Sequence, residues 1–138
     1  MASEMGRYEH ERRARQLIRF DGMVFDRNKS FTDIDAMMDY GGRAWLMFEV
    51  KGEGVGLTTG QRILAENFVR MARDAGRYAV VAVVEHHVTD CDRDVYLADC
   101  DVIEVYDTIG MAWRPPKEAM TARALARRFV WYARGLGR

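Results

Sequence analysis

The run Tyr78 to Glu85, YAVVAVVE, constrains this chain more than any other segment. It is almost continuously apolar and rich in β-branched residues. A strand with one face in water would alternate apolar and polar residues, and this one does not, so it suits the centre of a sheet covered on both faces. The rest of the chain must then supply the flanking strands and the covering layers.

The neighbouring segments read that way. Tyr8 to Arg19 has helical propensity, with Ala14, Leu17 and Ile18 spaced for one apolar face, and Asp21-Gly22 offers a turn. From Phe31 the pattern is strand-like, and the turn at Asp39-Tyr40-Gly41-Gly42 followed by Ala44 to Lys51 predicts a hairpin with a long second strand. After the loop GEGVGL at 52–57, Thr58 or Thr59 caps a helix running to about Ala75. Its Ile63, Leu64, Phe68, Met71 and Ala72 recur at three- and four-residue intervals, and Gly76 ends it. Val102 to Tyr106 is a further strand, and beyond Pro115-Pro116 a final helix covers about Glu118 to Ala133. A hairpin feeding through a helix into a buried strand implies an α/β fold: a mixed central sheet flanked by helices. With 138 residues and no internal repeat or linker, one domain over 1–138 is the expectation.

Composition narrows the functional classes. No run of about 18 apolar residues occurs, and the charged start MASEMGRYEHERRARQ holds no secretory apolar region, so the reading is a cytoplasmic protein without a membrane partner. Cys91 and Cys100 lack the spacing of a zinc site and read as free thiols. Twenty-one basic and 21 acidic side chains balance, which excludes a general polycation. Residues 113–138, however, carry seven cations against Glu118 alone, a net of plus six. A polyanion would therefore meet one end of the chain first.

The chemistry concentrates on the hairpin. In Trp45-Leu46-Met47-Phe48-Glu49-Val50-Lys51, strand alternation puts Glu49 and Lys51 on one face. Asp33 and Asp35 share a face on the preceding segment, and hairpin pairing brings that acidic side beside Glu49. Carboxylates placed together repel unless a hard cation neutralises them, and such oxygen ligands suit Mg²⁺ or Mn²⁺. A bound ion of this kind acidifies a water and stabilises charge on a scissile phosphate, with Lys51 orienting or activating the attacking water.

With DID at 33–35, EVK at 49–51 and Gly60-Gln61 opening a helix, the chain resembles the PD-(D/E)XK nuclease superfamily over roughly residues 8–86. It looks most like the small stand-alone phage and bacterial members, which are similar to Holliday-junction resolvases, virus-type replication-repair nucleases and RecB-like nucleases. The resemblance implies a restriction-endonuclease-like sheet and Mg²⁺- or Mn²⁺-dependent hydrolysis of branched, single-stranded or duplex DNA. It also implies a role in recombination or repair, and a bacterial cell or phage-infected host as the setting. It places the metal ligands at Asp35, with Asp33 as the alternative, and at Glu49, and the catalytic lysine at Lys51. Gln61 matches a glutamine on the following helix, and Glu11 the glutamate that the first helix often supplies. Resolvase-like members act as homodimers. Thr32 stands where the family name expects proline. The alternative is a non-catalytic module of the same fold that binds nucleic acid or a protein.

Other motifs read more plainly. His86 and His87 follow the buried strand and read as loop histidines that lack a metal-spaced partner. Asp90, Asp92 and Asp94 mimic the start of a calcium loop, but Val95 replaces the required glycine, so the run reads as a solvated loop. GEGVG at 52–56 lacks the order of a dinucleotide cradle. The final helix sets Arg123, Arg127, Arg134 and Arg138 beside Phe129, Trp131 and Tyr132. This end contacts phosphates, packs on a second subunit, or is a helix docked by its aromatics with solvated arginines.

Overall fold

A computed structural model of the chain describes residues 17–27 and 29–137. They fall into two compact units divided between Asp33 and Ile34. The described part of the first unit holds a two-stranded antiparallel ribbon, β1 (Val24–Phe25) with β2 (Lys29–Ser30), and a Phe20–Phe31 ring contact at 6.4 Å. The turn expected at Asp21-Gly22 is present: Gly22 sits at φ 79° and Met23 N donates to Phe20 O. The helix expected over 8–19 lies outside the described residues up to residue 16, and Leu17 to Arg19 have no regular structure.

The second unit is α/β. Four strands, β3 (Ala36–Tyr40), β4 (Ala44–Gly52), β5 (Tyr78–His86) and β6 (Asp101–Asp107), lie in that spatial order, with β4–β5 parallel and both outer pairs antiparallel. The hairpin turn uses Gly41 and Gly42 at φ 61° and 69°, the left-handed pair that a two-residue turn needs, and Asp39 Oδ1 accepts from Gly42 N at 2.7 Å. Helix α1 (Thr59–Asp74) makes the crossover from β4 to β5. Both faces of β5 are covered, as its apolar run requires: Val80, Ala82 and Val84 pack with helix α2 (Ala122–Arg134), and Ala79 and Val81 pack with α1.

Two sequence expectations shift. The last helix starts at Ala122 rather than 118, because residues 120–122 are first tied to the sheet edge: Val102 N donates to Met120 O, and Ala122 N to Cys100 O. Thr121 then caps Ala124 N. On α1 the residues that meet the sheet are Ala65, Val69 and Ala72, whereas Ile63 and Met71 are half-exposed or more. Small residues let the helix lie close to β4 and β5, and that shape requirement overrides side-chain hydrophobicity.

Candidate functional site

Glu49 and Lys51 lie near the carboxyl end of β4, on the α1 side with Met47. Register sets their neighbours. One row across the sheet runs Glu49, Val83, Glu104, and the next runs Lys51, Glu85, Asp101. Glu49 is 4% exposed, and Glu49 and Asp107 are the buried charged residues among those described. Lys51 is half-buried.

Asp35 precedes β3, and the register Ala36↔Phe48 carried one step further puts it across from Glu49. Its Oδ2 accepts from Val50 N at 2.8 Å, doing at the end of the hairpin what a backbone carbonyl does within it. The side chain is thereby held against the Glu49–Lys51 segment. The sequence-predicted trio is therefore brought to one end of the hairpin. Asp33 belongs to the first unit, and Glu11 lies outside the described residues.

Gln61 has a structural role the sequence resemblance did not foresee. Its Oε1 accepts from Thr58 N at 3.1 Å while Thr58 Oγ1 accepts from Gln61 N at 3.2 Å, a reciprocal cap at the start of α1. At the next residue, Arg62 reaches Glu104 at 2.7 Å and stacks 4.7 Å from the Trp113 ring.

Beyond the trio the structure assembles a second charged group. His87 is held between Asp101 (Nε2 to Oδ2, 2.8 Å) and Glu53 (Nδ1 to Oε2, 3.1 Å). The hydrogen bond to Asp101, then that to Glu53, raises the imidazole pKa above the usual 6.5. Directly opposed, Asp101 and Glu85 would repel; the first is answered by His87, and the second accepts from Gly54 N at 3.2 Å. The signal for this group was in the chain. If β4 and β5 are parallel with Gly52 beside His86, residues 53 and 87 emerge together. The Asp90–Asp94 segment is a solvated turn as read, with Asp92 N donating to Asp90 Oδ1.

Comparison with family models, curated proteins and solved structures found no match. The site must be judged on its own chemistry. Among the described residues no group of three or more His, Cys, Asp or Glu side chains is placed to hold a metal ion. Asp35 and Glu49 offer two carboxylates, which fits Mg²⁺, an ion that keeps several waters and takes one or two protein carboxylates. It does not fit zinc, which wants three or four protein ligands. No helix among the described residues is long and apolar enough to cross a membrane.

Proposed function

We propose that the chain is a Mg²⁺- or Mn²⁺-dependent nuclease of the PD-(D/E)XK type that hydrolyses phosphodiester bonds in DNA. The observation that carries this reading is the seat of Asp35: a carboxylate anchored on Val50 N, the backbone group between Glu49 and Lys51, and across from the buried Glu49. Asp35 and Glu49 would hold the ion, which when bound supplies charge neutralisation at the phosphate and acidifies a water. The chain's own contribution is placement. Strand geometry spaces Glu49 and Lys51 about 7 Å apart along one face, so the lysine ammonium reaches beyond the carboxylate toward solvent. From there it orients the attacking water and opposes the negative charge that develops on the phosphate.

Purified protein with Mn²⁺ or Mg²⁺ should cut at least one of a panel of labelled junction, flap, nicked, single-stranded and duplex DNAs. Lys51→Ala should remove the cutting while leaving the circular dichroism spectrum unchanged. Absence of cutting across the panel in both metals would overturn the reading.

A second reading is a non-catalytic module of the same fold. It is favoured by the structural employment of Asp35 and Gln61. Calorimetry decides between them. Mn²⁺ binding that Glu49→Gln removes supports the nuclease, and no heat supports the module.

A further inference from the structure

Helix α2 docks through Ala122, Phe129 and Ala133, which are buried. At about 100° per residue, Trp131 points almost directly away from that stripe, and it is 76% exposed. Its neighbours on the outer face are Arg127, Arg128 and Arg134, at spacings of three and four residues. The helix contains no Asp or Glu, and among the described residues none of its four arginines makes an ion pair. A lone exposed tryptophan needs no explanation. One set among cations that repel one another, with no carboxylate on the same helix, does call for an anion.

An adjoining hollow of about 450 Å³ points the same way. Phe129, Trp131 and Tyr132 give it aromatic walls, and Arg114, Lys117 and Arg128 make it positive. Its one carboxylate, Asp107, is already satisfied by Arg114 and by the backbone N–H groups of Ile109 and Gly110. The size lies within the range of small-ligand sites. Flat rings beside Lys117 and Arg128, which make no ion pair among the described residues, match a base joined to a phosphate.

We propose that the outer face of α2 and this hollow bind single-stranded nucleic acid, with Trp131 stacking on an unpaired base and Arg127, Arg128 and Lys117 holding the flanking phosphates. A duplex keeps its bases stacked inside and offers the indole nothing. A second copy of the chain is disfavoured, because a two-fold contact through this face would press its arginines together. The α2 side of the sheet is the one opposite Glu49 and Lys51, so this site neither forms part of the proposed hydrolytic site nor rests on it.

The test is fluorescence anisotropy of a labelled oligothymidylate titrated with the full chain in EDTA, where no metal-dependent cutting intervenes. Trp131→Ala should weaken binding about tenfold and Trp131→Phe much less. Arg127→Ala with Arg128→Ala should make the plot of log affinity against log salt shallower by roughly 1.4, about 0.7 for each charge. Equal affinity for Trp131→Ala, or equally tight binding of a duplex, would overturn the proposal. So would a concentration-dependent dimer in sedimentation that Trp131→Ala dissolves. Failure here leaves the hydrolytic reading standing, and failure to cut DNA leaves this one standing.

Discussion

Two residues show how charge is managed at each end of β6. Asp107 is 5% exposed and accepts from Ile109 N at 3.1 Å and Gly110 N at 2.7 Å while pairing with Arg114. Arg114 stays about half-exposed, so removing Asp107 does not strand a buried cation; it orphans the turn donors instead. Asp107→Ala should therefore cost about 2–3 kcal/mol in urea denaturation. The same carboxylate acts on Tyr78, whose pKa is pushed up to about 12 by burial first and by Asp107 second. In Asp107→Asn the Tyr78 titration followed by NMR should fall yet stay above 10, since burial remains; an unmoved titration would deny the coupling. At the other end, His87 is bridged by Asp101 and Glu53, and its raised pKa means that the bridge stabilises fully below about 6.5 and is lost as pH rises through the folded value. The group is exposed and screened, so the contribution to stability is small, and the direct measurement is the imidazole titration. Its midpoint should lie above 6.5 and drop further in Asp101→Asn than in Glu53→Gln; the reverse order would be inconsistent with the geometry.

Helix α1 ties the candidate site to stability through its first turn. Thr58 and Gln61 cap each other's backbone groups, so Thr58→Ala should cost about 1 kcal/mol in urea unfolding. Gln61 allows a sharper comparison. A glutamate at the same position keeps the capping geometry, so Gln61→Glu should unfold at nearly the wild-type midpoint, whereas Gln61→Ala should not. If the Gln61 amide also serves the proposed hydrolysis, Gln61→Glu will lose cutting at unchanged stability, and retained cutting would confine the residue to its cap. The cap itself was legible in the sequence, since Thr58, Gly60 and Gln61 mark a helix start and Gly76, at φ 71°, its end. The packed face was legible only in part, since Phe68 and Ala72 pack as expected but Ala65 and Val69 take the remaining contacts. Ile63, Leu64 and Met71 satisfy the helical spacing as well as Ala65, Val69 and Ala72 do, and only the closeness of the sheet selects the smaller set. The late start of α2 was hidden for a related reason. Residues 118–121 have no anti-helical composition, and the helix starts after them because backbone bonds tie Met120 to Val102 and Ala122 to Cys100, a tertiary demand that local propensity does not carry.

At the scale of the α/β unit the apolar run of β5 did most of the specifying. A strand without a polar face needs cover on both sides, and the chain meets that need with α1 and α2 on opposite faces, giving two clusters that share the same strands. Asp35 joins Glu49 and Lys51 for the same reason, because hairpin register and strand alternation are short-range rules that can be read from the turn glycines outward. What could not be read was the use of each side chain: the bond from Val50 N to Asp35 and the Glu53–His87–Asp101 bridge depend on where loops return in space. Sharing of strands also fixes how the unit should unfold. Leu46 lies in the cluster under α2 and Val81 in the cluster under α1, both 1% exposed or less, one residue out of register across β4 and β5. Leu46→Ala should cost about 2–5 kcal/mol and Val81→Ala about 1.5–3 kcal/mol, from lost burial and the cavity left behind. Since neither layer can keep its face of the sheet without the other, each variant should lower the urea midpoint of the same single transition without changing its slope. Tryptophan fluorescence and far-ultraviolet dichroism should then trace coincident curves. Separate transitions would mean that one layer persists without the other, contrary to what a shared β5 requires.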